Sequence, residues 1–509
     1  MSAASPSPAM SPEHLASLSH ELRTPLNGVL GMTKLLEMTA LTPEQRAYVG
    51  ALMESGQHLL DLVNDVLDYA RLGAGPAPLD NVRLGVEDLV RSVAELMAPR
   101  AHEKGLEIGW AVDPAAARLT ADGRRLRQIL LNLVGNAIKF TPAGGVLVLA
   151  QPGANGAARF CITDTGPGVP PSARERIFDA FTQLDDSAAA TGAGLGLAIV
   201  RRLAEAMGAR VWVEGAPSGG AAFIVEGPFG GLAGAAGERP LAGIEVAIAT
   251  PNPVIAEAAA LCVRFSGGRV RVARAPEDLG RGGGGEVRLI DHAGAGEDGR
   301  LAAPTGAAIV LLRPEERGLI APYRAAGFDG YLLKPLRRRS IVERVLAALG
   351  EGPAADTGED ERLRRADAPP SAPSPATGAR ILLAEDNPVN VTLVTAILTR
   401  EGCEIDTVAD GEAAVAAASA RAYDLVLMDM RMPKLDGLAA TRALRARGVT
   451  TPVLALTANA FDDDRQAALA AGMDDFLVKP LGPEGLRAAV SLWTGPGAAA
   501  EGRRPRASS

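Results

Sequence analysis

The chain has 509 residues, of which 47% are hydrophobic and 22% are charged, which suits about three or four domains with separate cores. A formal net charge of -8 argues against a broad nucleic-acid surface, and three widely separated cysteines favour a reducing compartment over disulfides or a metal site. No apolar run approaches the roughly 20 residues that cross a bilayer, and residues 1–11 lack the marks of a signal peptide, so we expect a disordered start, no membrane span and a cytoplasmic protein.

Residues 12–73 carry apolar side chains at helical spacing, with a break near residues 41–44. This pattern predicts a helical hairpin. Two helices of this length cannot cover their apolar stripes alone, so we expect a second copy to complete a four-helix bundle. The predicted dimerisation domain therefore makes the protein a homodimer.

The first helix of the predicted hairpin contains His20, followed by Glu21 and, five residues on, by Pro25. A neutral imidazole nitrogen attacks phosphorus when a carboxylate orients the ring and takes its other proton, which is the role that fits Glu21. Thr24, one turn later, is placed to position a water for the reverse, dephosphorylating reaction. Residues 19–27 resemble the H-box of histidine kinases, and this resemblance implies that His20 is the phosphoryl acceptor.

Residues 79–230 mix strand-like and helical runs, as expected of an α+β sandwich. One helix brings Asn132, Asn136 and Lys139 to a single face, where amide oxygens suit Mg²⁺, with Asn136 as the candidate ligand, and the ammonium suits phosphate. Asp164 follows a strand and is suited to accept a hydrogen bond from the adenine amine. The glycines expected to let the backbone approach the nucleotide are Gly166, Gly168, Gly192, Gly194 and Gly196.

A dinucleotide-binding fingerprint is excluded because no strand precedes the glycines at 192–196. Taken in order, these segments resemble the N, G1, F and G2 boxes of the Bergerat-type ATPase fold that histidine kinases share with gyrase and MutL. The resemblance covers roughly residues 80–229. It implies that the domain binds ATP with Mg²⁺ and has a flexible lid between Phe181 and Gly192.

Residues 240–350 and 379–494 repeat one pattern of short apolar strands and helices that ends in Leu-Leu-Lys-Pro or Leu-Val-Lys-Pro. Such alternation predicts two flavodoxin-like α/β domains with sites at the carboxyl ends of parallel strands. Residues 351–378, rich in proline, alanine and charge, are interpreted as a linker, and residues 495–509 as a disordered tail.

In the last domain, one strand ends in Glu385 and Asp386 and another in Asp429, a set of oxygen ligands that suits Mg²⁺. The following strands supply Thr457 and Lys479, placed to contact the oxygens of a phosphoryl group that Asp429 attacks. This set resembles response-regulator receivers closely, which implies that Asp429 is the second phosphoryl acceptor.

The earlier copy, residues 240–350, departs from that pattern. It has Ala249 and Thr250 where the acid pair is expected and Arg313 where the hydroxyl is expected, so we interpret it as a pseudo-receiver without a working Mg²⁺ site. One hypothesis makes it only a spacer. The other makes it a regulatory domain, similar to inactive receivers that sense cyclic di-GMP, with the ligand held by Arg313, Arg317, Tyr331 and Arg337.

The combined prediction is a hybrid histidine kinase, which uses ATP to phosphorylate His20, passes the group to Asp429 and then to a separate histidine phosphotransfer protein. Two alternatives remain open: a net phosphatase acting through Thr24, and a non-catalytic scaffold. The sequence does not identify the stimulus.

Overall fold

The structure, a computed structural model, describes residues 25–26, 28–34, 36–37, 39–73, 79–182, 194–217, 219–229, 239–280, 285–296, 299, 301–302, 304, 306–350, 378–457, 467–479, 481 and 483–494. It divides into two compact units. The first holds the described residues of Leu62–Gly358, and the second those of His20–Asp61 and Glu359–Ser509. None of the helices in these ranges combines the length and the apolar character needed to span a membrane.

The hairpin region contains a helical stretch at residues 28–34 and the long helix α1 (Pro43–Gly73). A capping box starts α1: the Thr42 amide donates to Gln45 Oε1 over 3.0 Å, and the Gln45 amide donates to Thr42 Oγ1 over 3.2 Å. This cap explains the break seen at residues 41–44. The helix leaves a stripe of large apolar side chains exposed, formed by Tyr48, Leu52, Leu59 and Val66.

The first unit begins with an α+β domain. Strands β1 (Asn81–Gly85) and β3 (Arg118–Asp122) form an antiparallel pair. The main sheet has the order β2-β4-β5-β7-β6, in which only β2 and β4 run parallel. Its strands are β2 (Glu107–Val112), β4 (Gly145–Pro152), β5 (Ala158–Asp164), β6 (Arg210–Gly215) and β7 (Ala221–Gly227). Helices α2 (Val86–Glu103), α3 (Gly123–Phe140) and α4 (Gly196–Ala206) share one buried core with one face of this sheet.

The same unit continues into a five-stranded parallel sheet of order β12-β11-β10-β8-β9. Its strands are β8 (Glu245–Ala249), β9 (Arg269–Ala273), β10 (Glu286–Asp291), β11 (Ala308–Leu312) and β12 (Gly330–Leu333). Its helices are α5 (Pro253–Phe265), α6 (Ile320–Ala325) and α7 (Arg338–Ala348).

Helix α5 packs against the other face of the first domain's main sheet. Strand β2 is buried along its whole length: Ile108 and Trp110 join the core of its own domain, whereas Ala111 joins the hydrophobic cluster around α5. A Cβ added at Gly109 would lie 2.7 Å from the Cβ of Ala258, so only glycine lets the strand approach the helix this closely. The two domains of this unit therefore share a continuous apolar interface.

The second unit contains another parallel sheet, of order β14-β13-β15-β16-β17. Its strands are β13 (Arg380–Ala384), β14 (Glu404–Val408), β15 (Leu425–Asp429), β16 (Val453–Thr457) and β17 (Asp475–Val478). The helices described with it are α8 (Pro388–Arg400), α9 (Gly411–Ala420), α10 (Gly437–Ala446) and α11 (Pro483–Thr494). The predicted fold class, an α+β sandwich with two flavodoxin-like domains, is confirmed.

Candidate functional site

Helix α3 carries the first group of predicted nucleotide ligands. Asp122 caps the start of α3, because its Oδ1 accepts a hydrogen bond from the Arg125 amide over 3.1 Å. The cap fixes the residue at which the helix begins and therefore which side chains share a face. Asn132, Asn136 and Lys139 are all half-buried on this helix. Burial lowers the pKa of Lys139, and the neighbouring cations Arg100 and Lys104 lower it further. The site therefore gathers positive charge, which suits an anionic ligand.

Asp164 ends strand β5 and is 6% exposed. Its Oδ1 accepts the Gly166 amide over 2.8 Å and the Ala221 amide over 3.2 Å, which fixes the orientation of the carboxyl group. Burial raises the pKa of this carboxyl, and the two backbone hydrogen bonds act in the opposite direction. A fixed, buried carboxyl of this kind suits recognition of a single donor on a ligand.

The predicted glycines frame the same region. Gly168 has φ +75°, and a Cβ there would lie 3.1 Å from Gly220 O, so the backbone needs glycine at this turn. Gly196 begins α4, and a Cβ there would lie 3.9 Å from Asn136 Nδ2, which places the start of α4 beside α3. The Phe181 amide donates to Gly194 O over 3.0 Å and so joins the chain on the two sides of residues 183–193.

Several predicted residues lie outside the described ranges. These are His20, Glu21, Thr24 and Gly192, together with most of the predicted lid. The predicted disordered start, linker and tail, at residues 1–11, 351–378 and 495–509, also lie outside them except for Gly378.

A second candidate site lies at the carboxyl ends of β13, β15 and β17. Lys479 Nζ donates to Glu385 Oε2 and to Asp429 Oδ2, each over 2.6 Å. Thr457 is buried at the end of β16, and its carbonyl accepts the Lys479 amide over 2.7 Å. The sequence did not single out Asn390 on α8, whose Nδ2 donates to Glu385 Oε1 over 2.6 Å and holds this acid from the far side.

The acids of this site fit a divalent cation. One carboxylate oxygen each from Glu385, Asp386 and Asp429 lies within 4.8 Å of the others. Carboxylate oxygens are the ligands that Mg²⁺ prefers, and Asp386 is exposed, so solvent has access to complete the coordination. Burial raises the pKa of Glu385, an effect that the nearby Lys479 ammonium partly offsets.

In the corresponding pocket of the first unit, two positions that the sequence analysis assigned are each wrong by one residue. They are the position of the first acid and the position of the hydroxyl. The Thr250 amide donates to the last residue of β9, as the Glu385 amide does to the last residue of β14, so Thr250 and not Ala249 occupies the place of the first acid. The Lys334 amide donates to Leu312 O as the Lys479 amide does to Thr457 O, so the hydroxyl position is held by Leu312 and not by Arg313.

What remains of this pocket is a buried set of charges. Asp291 is 0% exposed and accepts hydrogen bonds from Lys334 Nζ over 3.1 Å and from Thr250 Oγ1 over 2.7 Å. Lys334 Nζ also donates to Glu107 Oε1 over 2.9 Å, and Arg313 Nε donates to the same oxygen over 2.8 Å. Burial by itself lowers the pKa of Arg313, but its pairing with Glu107 raises it above the ordinary value.

The sequence did not single out Glu107, which comes from strand β2 of the preceding domain. The available signal was strand β2 itself, in which a charged residue, a glycine and an alanine alternate with large apolar residues. Small residues on the face of a strand that turns away from its own core predict that another element packs closely there. An acid on that face is then buried, and it needs a buried cation as its partner.

The predicted regulatory residues come from several elements of the pseudo-receiver. Arg313 pairs with Glu107, and Arg337 Nε donates to Glu95 Oε1 of helix α2 over 3.0 Å. Tyr331 lies on β12 between two other arginines, with Arg324 and Arg344 at 5.9 and 5.2 Å from the ring centroid. Arg317 lies in the short 3-10 helix Pro314–Leu319 that follows Arg313.

Three family models match the chain. They are described as the His Kinase A (phospho-acceptor) domain over residues 13–75, the histidine kinase-, DNA gyrase B-, and HSP90-like ATPase over residues 121–230, and the response regulator receiver domain over residues 381–491.

Curated relatives and a solved structure are similar over nearly the whole chain. Sensor protein GacS of Pseudomonas syringae pv. syringae is 34% identical over 95% of this chain and 55% of its own length. Signal transduction histidine-protein kinase BarA of Escherichia coli (strain K12) is 32% identical over 93% of this chain and 53% of its own length. This chain therefore spans about half the length of these relatives. The crystal structure of full-length ShkA in complex with AMPPNP is 54% identical, covers 95% of this chain and 100% of that chain, and has a TM-score of 0.64.

Proposed function

Because the chain belongs to the hybrid histidine kinases, which join phospho-acceptor, ATPase and receiver domains in one polypeptide, we propose that it runs an internal phosphorelay. ATP phosphorylates His20, Asp429 then takes the phosphoryl group, and a separate histidine phosphotransfer protein receives it. The observation that carries this proposal is the cluster of Lys479, Glu385 and Asp429 at the receiver strand ends. In the ATPase domain, the described residues include Asn132, Asn136, Lys139 and Asp164 of the predicted nucleotide site.

The first step needs the nucleotide held with its γ-phosphoryl group accessible. Asp164 accepts a hydrogen bond from the adenine amine, and the glycines at 166 and 168 let the backbone approach the ring. Lys139 would face the phosphates, whose negative charge suits its ammonium group. Mg²⁺, with Asn136 as a ligand, would offset phosphate charge at this position.

His20 acts as the nucleophile in the first transfer. Glu21 orients the imidazole and holds its second ring proton, so that the unprotonated nitrogen attacks the γ-phosphorus. A nitrogen–phosphorus bond forms while the bond from phosphorus to the bridging oxygen of ADP breaks. Thr24 would direct a water at the phosphohistidine in the opposite, hydrolytic reaction.

The second transfer moves the group from nitrogen to oxygen. A carboxylate oxygen of Asp429 attacks phosphorus, and the bond to the His20 nitrogen breaks. Lys479, already 2.6 Å from Asp429 Oδ2, and the Thr457 hydroxyl would contact the phosphoryl oxygens as charge develops. Mg²⁺ held by Glu385, Asp386 and Asp429 would supply further charge neutralisation at this site.

The proposed dimerisation is supported by the exposed apolar stripe on α1, whose members Tyr48, Leu52, Leu59 and Val66 recur on one side of the helix. A second copy of the chain covers this stripe in the proposed four-helix bundle. Replacing Leu52 and Leu59 by glutamate should convert the dimer to a monomer in sedimentation experiments. Gln45 is exposed on the same helix, and Gln45→Glu should leave the dimer unchanged.

The relay is tested with radiolabelled ATP on the full chain. Wild type should acquire label, His20→Ala should acquire none, and Asp429→Ala should retain acid-labile label on histidine without passing it on. His58→Ala is the matched histidine control and Glu412→Gln the receiver control, and both should behave as wild type.

The outcomes also separate the alternatives. A net phosphatase would leave wild type unlabelled but would release phosphate from chemically phosphorylated protein, with loss of this activity in Thr24→Ala. A scaffold would show neither reaction. Label in His20→Ala equal to wild type would refute the proposed acceptor.

We further propose that the pseudo-receiver is regulatory and binds cyclic di-GMP through Arg313, Arg317, Tyr331 and Arg337. Support comes from the aromatic ring of Tyr331 among arginines, which suits stacking of a base beside phosphate ligands. The phosphates would have to replace Glu107 and Glu95 on their arginine partners.

Calorimetry with cyclic di-GMP tests this regulatory site. Tyr331→Ala should weaken binding by about 5- to 150-fold, because base stacking contributes about 1–3 kcal/mol. Arg269→Ala is the control, since Arg269 is exposed on β9 at the opposite edge of the sheet. Absence of binding to wild type would leave the pseudo-receiver as a spacer.

A further inference from the structure

Lys479 and Lys334 occupy the same position in the two receiver-like domains, and each contacts two carboxylates, but these carboxylates come from different sources. In the working receiver, Lys479 Nζ lies 2.6 Å from Glu385 and 2.6 Å from Asp429, both in its own domain. In the pseudo-receiver, Lys334 Nζ lies 3.1 Å from Asp291 of its own domain and 2.9 Å from Glu107 of the ATPase domain. Thr250 occupies the position of the first acid, so the pseudo-receiver lacks its own partner there.

We infer that the former phosphoryl-acceptor pocket of the pseudo-receiver is a docking site for Glu107 of the ATPase domain. Glu107 supplies the carboxylate that Glu385 supplies in the working receiver. The pocket thereby holds the ATPase domain and the pseudo-receiver together as one body, and it is closed to any incoming phosphoryl group.

Charge and burial support this role. Glu107 and Lys334 are each 2% exposed and Asp291 is 0% exposed, so these three groups have almost no access to water. Two acids, Glu107 and Asp291, face two cations, Lys334 and Arg313, and the cluster is close to neutral. A buried lysine or acid left without its partner is strongly unfavourable, so the charges favour the docked arrangement.

The remaining interface surrounds this cluster with weaker contacts. Gly109 admits Ala258 at close range, and Asn252 Nδ2 donates to Gly144 O over 3.0 Å. At the rim, two half-exposed ion pairs link helix α2 to the pseudo-receiver, Glu95 with Arg337 at 2.9 Å and Glu87 with Arg338 at 3.5 Å. Half-exposed ion pairs contribute little because water screens them, so Glu107 is the charged contact that we expect to matter most.

Native cysteines report on docking in the full chain. Cys262 on α5 is buried, and its Sγ lies 4.0 Å from Trp110 O across the interface. Burial raises the pKa of its thiol to about 12, so the docked protein should react slowly with maleimide. Cys403, buried in the working receiver, serves as an internal reference in the same sample.

Site-resolved maleimide labelling of Glu107→Gln tests the inference, since glutamine keeps the shape and removes the charge. Labelling of Cys262 should become at least about tenfold faster, while Cys403 stays unchanged. Glu95→Gln is the matched rim control and should change the rate by less than about threefold. Gly109→Leu is the positive control, because its side chain wedges strand β2 away from α5.

Three outcomes would overturn the inference. One is fast labelling in Gly109→Leu with wild-type labelling in Glu107→Gln, which would leave docking to apolar contacts alone. Another is an equal effect of Glu95→Gln and Glu107→Gln. The third is that Glu107→Gln both speeds labelling of Cys262 and removes hydrogen-exchange protection from β10 and β11. That result would mean that Glu107 supports folding of the pseudo-receiver and not docking.

Discussion

Replacing Asp164 by asparagine should separate nucleotide recognition from stability. In the wild-type chain, Asp164 Oδ1 accepts hydrogen bonds from the Gly166 and Ala221 amides over 2.8 and 3.2 Å, and asparagine retains an Oδ1 that can accept both. It places an NH₂ donor where the second carboxylate oxygen is proposed to accept the adenine amine, so two donors face each other. A hydrogen bond to a charged group contributes about 1.5–3 kcal/mol, which predicts ATP binding about 10- to 150-fold weaker.

Titration of the full chain with ATP and ITP measures this effect. ITP has a carbonyl in place of the adenine amine, so wild type should prefer ATP and Asp164→Asn should lose most of that preference. Asp164→Ala is the matched control for stability, because it leaves the buried Ala221 amide without its acceptor, at a cost of about 1–3 kcal/mol, and removes the hydrogen bond of the half-buried Gly166 amide as well. ATP affinity within threefold of wild type and an unchanged ATP/ITP ratio in Asp164→Asn would refute this reasoning.

The pH dependence of Asp164 has a defined sign. Burial raises the pKa of its carboxyl in the folded chain, so the folded protein takes up this proton at a higher pH than the unfolded chain does. Its contribution to stability is therefore greatest at acidic pH and is lost as pH rises from the ordinary aspartate pKa to the raised one. ATP affinity should fall in wild type as pH drops through the raised pKa, and should stay level in Asp164→Asn.

Three further changes have separate readouts. Lys479→Met should slow transfer from His20 to Asp429 by about 100-fold, as expected for loss of one charge at a reacting centre, and should leave labelling of His20 itself unchanged. Asp122→Ala removes the cap of α3 and should lower the free energy of unfolding by about 1 kcal/mol in urea titrations, with an unaltered value contradicting the capping role. Gly168→Ala should cost about 1–2 kcal/mol because its φ of +75° disfavours a side chain, and equal stability would show that this turn relaxes.

The sequence predicted the receiver site because its landmarks are local. Glu385 and Asp386 directly follow an apolar strand, and Asp429 ends another, so the strand ends are marked by the acids themselves. Parallel strands then bring these ends to one edge of the sheet. The same holds for Asp164, whose carboxyl binds an amide only two residues away.

The pseudo-receiver was predicted less accurately because those landmarks are missing. Without an acid pair, the sequence does not show where β8 ends. Ala249 was therefore assigned to the position of the first acid, which Thr250 holds in the structure. An error of one residue in the opposite direction assigned Arg313 to the position that Leu312 holds. Strand register is set by hydrogen bonds such as Lys334 N to Leu312 O at 2.9 Å, and a single sequence does not show these.

The contact between Glu107 and Lys334 lies beyond local sequence signals for a different reason. The two residues are 227 positions apart, in domains that were predicted independently. Each looked ordinary alone: an acid at the start of a strand, and a lysine left over from a receiver motif. Only tertiary packing of β2 against α5 brings them together.

Comparison of the two lysine clusters indicates why one pocket is open to chemistry and the other is not. Asp429 keeps an exposed neighbour in Asp386, so solvent and an incoming phosphoryl group have access to it. Asp291 is enclosed by Thr250, Lys334 and a second domain. Lys334 is 2% exposed, so it needs compensating acids even where no reaction takes place. Because a threonine takes the place of the first acid in the pseudo-receiver, a carboxylate from the neighbouring domain meets that need most directly, and this is the physical reason that we propose for the docking of Glu107.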